Sequence, residues 1–185
     1  MAMILAGTSL VGPGALAGQE PSPPAVDDPE AYRVYASLLS TKWPVGADKP
    51  RVVVIQQETS TWDGCGGFRQ SSQNEFRLPD RHTAWKPAFD AYRAAKQTVR
   101  ALLPGQELGF PHKIMTAREI FLAPASLDSR GHIQLSAVGF DAARTRAIVS
   151  MAYQCGGLCG GGSLYLLEKV TGVWREAGKL CEWWS

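Results

Sequence analysis

The chain has no lysine or arginine before Arg33, no uninterrupted apolar run of membrane-spanning length, no paired histidines and almost no net charge. Lys and Arg number 19 against 17 Asp and Glu, a formal net charge of +2 over 185 residues. So weak a field excludes the dense basic surface through which proteins hold nucleic acid. A spanning helix needs about 20 apolar residues, so stable membrane insertion is excluded as well. His82, His112 and His132 stand apart, without the H-x-x-x-H or H-x-x-E spacing of a metal site. No cofactor motif accompanies them. With 45% apolar, 19% charged and 9% aromatic residues, the composition is that of a soluble domain. It excludes a disordered, collagenous or polytopic membrane protein. What remains unusual is four cysteines and 19 glycines.

Residues 1–17 (MAMILAGTSLVGPGALA) are uncharged, are interrupted by Gly12-Pro13-Gly14, and end in the small-x-small pattern Ala15-Leu16-Ala17. They read as a signal peptide, although the positively charged beginning is missing. An even cysteine count agrees with export to a periplasmic or extracellular space. Residues 18–28 hold Pro21, Pro23 and Pro24 and read as an extended linker. A single α+β domain is expected over 29–185.

Within it, Asp27 or Asp28 is placed to cap a helix starting at Pro29, and Tyr32, Tyr35, Leu38, Leu39 and Lys42 follow at helical spacing. The helix is expected over 29–41, ending before Trp43-Pro44. The β-branched run 51–57 (RVVVIQQ) predicts a buried strand, and the polar residues 60–84 a long loop ordered through Cys65. A second helix is expected over 86–103, with Phe89, Tyr92, Val99 and Leu102 or Leu103 as its apolar stripe and Pro104-Gly105 as its stop. Asp90, Arg93, Lys96 and Arg100 form its solvated face. A strand over 113–122 and a turn-rich stretch 123–131 come next. Four β-rich runs close the chain at 132–140, 145–155, 163–170 and 173–184, with Thr171-Gly172 as the last turn. Consecutive strands joined by short turns pair antiparallel. The expected fold is α+β, two early helices covering one face of a C-terminal antiparallel β-meander.

Three of the cysteines belong to this meander. If residue 155 lies opposite 162, and 170 opposite 173, then 181 also faces about 162, which gathers Cys155, Cys159 and Cys181 at one sheet end. In an exported protein two disulfides are the default: 155 to 159, 155 to 181 or 159 to 181, with Cys65 taking the remaining thiol. Zinc is the second reading of four thiolates, but structural zinc sites use two tight C-x-x-C knuckles, and here there is one C-x-x-x-C with two isolated cysteines. Nucleophilic catalysis is the third. Gly157-Leu158-Cys159-Gly160-Gly161 matches G-x-C-x-G, but a nucleophile elbow is followed by a helix and here a strand follows. The glycines of 156–162 are expected to relieve positive backbone φ and to permit close approach. No Lys-Ser/Thr follows them, which excludes a phosphate cradle.

The remaining candidates carry less. Glu58 and Asp63 flank the end of the first strand, where two loop carboxylates five residues apart say little about acid/base work. Ser163 fails G-x-S-x-G. Trp174, Trp183 and Trp184 share the last strand, and alternation sends Trp183 and Trp184 to opposite faces, one into the core and one partly exposed. An exposed tryptophan can mark a ligand or partner surface, but covering by the N-terminal helix is the expected fate here.

The chain is similar to a family of uncharacterised bacterial proteins predicted to be exported. The resemblance rests on Tyr32-x-Val34-Tyr35-x-x-Leu38-Leu39, Val53-Val54-Ile55 with Thr59, Leu135-Ser136-x-Val138-Gly139-Phe140-Asp141, and Ala147-Ile148-Val149. It continues through Cys155-Gly156-x-x-Cys159-Gly160-x-Gly162, Leu166-Leu167-x-Lys169, Gly172-x-Trp174 and Trp184-Ser185. In that family the stretch corresponding to 123–131 is longer and carries a Trp and a Phe, both missing here. The resemblance implies export and the closing β-meander, and transfers no catalytic residue. The leading expectation is an exported binding or structural module held by disulfides among Cys65, Cys155, Cys159 and Cys181, without catalysis, with a protein or small molecule as partner. The alternative is a thiol-dependent enzyme, hydrolase or redox protein, using Cys159 or Cys155.

Overall fold

The computed structural model describes residues 22–42, 52–62, 65, 77–123, 131–155 and 159–185. The expected signal peptide, Asp63, most of the stretch 123–131 and Gly156-Gly157-Leu158 lie outside the described residues.

Helix α1 (Pro29–Lys42) starts where the sequence places it. The Asp28 carboxylate accepts from the Glu30 amide at 3.0 Å, so one of the helix's unpaired N–H groups is satisfied. Its inward stripe of Ala31, Tyr32, Val34, Tyr35, Leu38 and Leu39 is buried throughout. The two tyrosine hydroxyls that go in with it are paired: Tyr35 donates to the Ser136 carbonyl at 2.9 Å and Tyr32 to the Val26 carbonyl at 3.0 Å.

Among the described residues, seven strands form one mixed sheet: β1 (Val53–Gln56), β2 (His112–Met115), β3 (His132–Leu135), β4 (Gly139–Phe140), β5 (Arg146–Gln154), β6 (Gly160–Val170) and β7 (Val173–Trp184). They run in the order β2-β1-β3-β5-β6-β7, with β4 also paired to β5. The antiparallel meander expected from 132 onward is present. It is half of the sheet's logic, because β1 pairs parallel with both β2 and β3 on the other side. Parallel neighbours need a crossover, and the chain between β1 and β2 supplies one that contains α2 (Lys86–Ala95).

The crossover places the helices on opposite faces, not on one. Ala147, Val149 and Met151 of β5 and Tyr165 and Leu167 of β6 pack with α1, whereas Ile148, Leu164 and Leu166 pack with Ala88, Phe89 and Tyr92 of α2. The period-two alternation of the strands thus feeds two cores. On the α2 side the approach is close. A Cβ built at Gly139 would sit 2.1 Å from the Tyr92 amide nitrogen, so a side chain there would push α2 off the sheet.

Three expected elements are revised. The helix expected over 86–103 ends at Ala95, because the following backbone bonds elsewhere. Arg100 N–H donates to Thr59 Oγ1 and Leu102 N–H to the Gln57 carbonyl, both at 2.8 Å. Ala101 meanwhile exchanges bonds with the Pro24 carbonyl and the Val26 amide. Those last contacts tie down part of the segment expected as a linker and bury Val26. Leu102 then enters the α1-side core instead of continuing the α2 stripe. The strand expected over 113–122 stops at Met115, where Thr116 and Glu119 form a reciprocal capping box for α3 (Ala117–Phe121). The run 132–140 is divided into β3 and β4. Leu135 faces Met151 and Gly139 faces Ile148, so residues 136–138 oppose only 149–150 and one residue is extra, a bulge. Among the described residues, no helix is long and apolar enough to cross a membrane.

Candidate functional site: a cavity beside the Cys155–Cys159 bridge

Strands β5 and β6 meet with Gln154 opposite Gly160 and Ala152 opposite Gly162, three residues tighter than the expected register of 155 opposite 162. Strand β6 begins at Gly160 because its glycines are ladder residues, and none of Gly160, Gly161 and Gly162 has a positive φ. Their lack of side chains serves close approach instead. A Cβ at Gly161 would lie 2.4 Å from the Trp184 ring, and one at Gly162 2.6 Å from Trp183 Nε1. Two indoles on β7 therefore lie over a glycine track on β6.

The tighter register separates the cysteines into two bridges. Cys155 and Cys159 are bonded to each other across the hairpin, where Cys155 N–H also donates to the Cys159 carbonyl at 3.0 Å. Cys181 sits opposite Leu164, not opposite residue 162, and is bonded to Cys65. That second bridge packs against the α2-side core. The expected gathering of Cys155, Cys159 and Cys181 at one sheet end is thus corrected: only the first two share it. All four sulfurs are consumed, so none is a free thiolate for zinc or for nucleophilic attack in this structure.

On the α1 face, past the end of that helix, lies a cavity of about 450 Å³. Lys42, Tyr153, Cys155, Cys159, Gly161 and Trp184 frame it, and most of the wall is apolar. Trp184 is 76% exposed. Alternation does send Trp183 and Trp184 to opposite faces, but α1 covers neither. Trp183 packs at a tilt against Trp62 with ring centroids 4.8 Å apart, and Trp174 lies under α1, where its Nε1 donates to Glu30 Oε1 at 2.6 Å.

A charged row borders the cavity. Lys179 Nζ lies 2.5 Å from Glu182 Oε1, and Ser163 Oγ donates to the same oxygen at 3.3 Å. The hydrogen bond from Lys179 holds the Glu182 carboxyl below the usual range, and the same bond raises Lys179. Lys42 Nζ pairs with Glu176 Oε2 at 2.6 Å and stands 5.2 Å from the Tyr165 ring centroid, with Lys179 Nζ at 5.6 Å from the same ring. Tyr165 is buried, with both ammonium groups within cation–π range of its ring. This row is ionically complete, so it gives the cavity a polar edge more than a net charge.

The other sequence candidates do not converge here. Glu58 accepts from the Ala117 amide at 3.0 Å and so supports the start of α3. His82 accepts from Arg81 Nε at 3.1 Å, and His112 Nδ1 lies 2.9 Å from the Phe110 carbonyl. With His132 on β3, the three histidines occupy separate elements and none borders the cavity. Among the described residues no group of His, Cys, Asp and Glu is placed to hold a metal. Lys42 was read from the sequence only as a helix position; its place at the cavity follows from where α1 ends. Comparison of the chain with protein-family models, with curated proteins and with solved structures finds no match to any of them.

Proposed function

We propose that the chain is an exported, disulfide-stabilised module that acts by binding, at the cavity beside Trp184. The observation that carries this is an indole, 76% exposed, laid on a glycine track beside an apolar cavity of about 450 Å³ with a polar edge. Pockets of a few hundred Å³ with an apolar wall and a few polar groups are the usual form of small-ligand sites. The ligand that suits it is a small molecule with one flat apolar face, to stack on Trp184, and hydroxyl or amide groups toward Ser163 and Glu182. Export is supported by the leader-like residues 1–17, by the two bridges and by the resemblance to bacterial proteins predicted to be exported. Partners of nucleic-acid type are disfavoured by the net charge of +2.

A thermal-shift screen of the oxidised protein against mono- and disaccharides and small aromatic amides tests the reading. At least one class should raise the melting temperature in a saturable way, and Trp184→Ala should abolish the shift while leaving the unliganded melting temperature within a few degrees. A screen with no saturable shift, or shifts indifferent to Trp184→Ala, would overturn it.

A further inference from the structure

The two disulfides are chemically unequal. Cys159 is exposed and Cys155 half-buried at the tip of the β5–β6 hairpin, on the rim of the cavity. The Cys65–Cys181 bridge is packed against the α2-side core and spans 116 residues. At the hairpin, chain closure does not depend on sulfur. The Gln154–Gly160 pair and the bond from Cys155 N–H to the Cys159 carbonyl already hold the strands together. A thermodynamic cycle then fixes the order of reactivity. Whatever a bridge contributes to folding, the fold returns as protection of that bridge. A bridge that closes only four residues restricts the unfolded chain little and is protected little, and one over 116 residues restricts it far more and is protected strongly.

We propose that Cys155–Cys159 is a reversible thiol–disulfide exchange site, attacked at the exposed Cys159 sulfur by a dithiol, while Cys65–Cys181 stays closed. A thiolate of the dithiol attacks Cys159 Sγ. The Cys155–Cys159 bond breaks, and Cys155 leaves as a thiolate that takes a proton from water. The second thiolate of the dithiol then attacks the mixed disulfide at the dithiol's own sulfur and expels Cys159 as a thiolate, which is protonated in turn. Two electrons pass to the protein: the dithiol ends as a disulfide and the protein holds two thiols. The reverse sequence passes the electrons on to a partner disulfide. This goes beyond the binding reading and stands whether or not the cavity takes a ligand.

The test is a dithiothreitol titration of the folded protein without denaturant, quenched with acid, alkylated and mapped by peptide, with circular dichroism followed in parallel. Cys155 and Cys159 should be alkylated at a dithiol concentration at least about tenfold below that which opens Cys65–Cys181. The near-ultraviolet spectrum of the fold should persist, and oxidised glutathione should restore the bond. To locate the attacked sulfur, glutathione is added in place of dithiothreitol and the mixed disulfide is mapped, which should fall on Cys159. The idea is overturned if Cys65–Cys181 opens first or together with the hairpin, if the fold is lost at the same concentration, or if glutathione is found on Cys155.

Discussion

Glu30, on the first turn of α1, accepts from Trp174 Nε1 at 2.6 Å and from Arg33 Nη1 at 3.0 Å, and is ion-paired with Lys169. One carboxylate therefore joins the start of α1 to β6 and β7. Burial pushes its pKa up, but the hydrogen bonds from Lys169 and Trp174 outweigh burial, and the net displacement is downward. A carboxyl whose folded pKa lies below its unfolded value stabilises the fold fully above the unfolded value. That contribution is lost as pH falls through the folded pKa. Glu30→Gln should accordingly lower the urea midpoint at pH 7, and its gap to the parent should shrink at acidic pH as the parent carboxyl protonates. Equal gaps at the two pH values would show that the effect is packing and not ionisation. A different kind of single-residue dependence appears at Gly139, where the constraint is space and no titration enters.

At the scale of elements, α3 is short and buries no residue, so its start rests on its capping box and on the bond from the Ala117 amide to Glu58. Thr116 Oγ1 accepts from the Glu119 amide at 3.1 Å while Glu119 Oε2 accepts from the Thr116 amide at 2.7 Å. Thr116→Ala removes half of that box, which costs about 1 kcal/mol, or about fivefold in opening. Amide exchange at Glu119, Ile120 and Leu122 should quicken by about that factor while the β5–β6 amides are unchanged. The Thr116-x-x-Glu119 signal is present in the sequence, inside the run 113–122 that is expected as one strand. Where pattern and packing agree, reading was direct: α1 from its spacing and Asp28, and β5 to β7 from apolar runs between turns. Elsewhere tertiary partners decided. The end of α2 is set by Thr59, Gln57 and Pro24, which take the backbone of 100–102 and leave a helix nothing to continue with. The parallel β1–β2 and β1–β3 pairings carry no local signature, since both partners are far away in the chain. The cavity was half legible. Its cysteines and Trp184 stood out, but the register that brings Trp184 over Gly161 depends on where β6 begins, and a glycine run resembles a loop until an aromatic ring is known to cover it.

Over the whole molecule, stability is divided between two cores on opposite sheet faces, and the bridges are distributed unevenly between them. Cys65–Cys181 ties the segment after β1 to β7, linking elements separated by most of the sheet's width and by 116 residues of chain. In the chain-entropy account, closing so long a loop stabilises by about 5 kcal/mol, and closing the loop from 155 to 159 by at most about 2. The double variant Cys65→Ser with Cys181→Ser should therefore lose about 3 to 5 kcal/mol in guanidinium unfolding. Cys155→Ser with Cys159→Ser should lose no more than about 1 to 2 kcal/mol. The denaturant slope adds a check, because removing the long bridge frees a more extended unfolded chain and should raise it, whereas removing the short one should leave it unchanged. If instead the hairpin variant proved the less stable of the two, the β5–β6 tip would be a structural clamp, and the division between a permanent staple and an exchangeable bridge would fail with it.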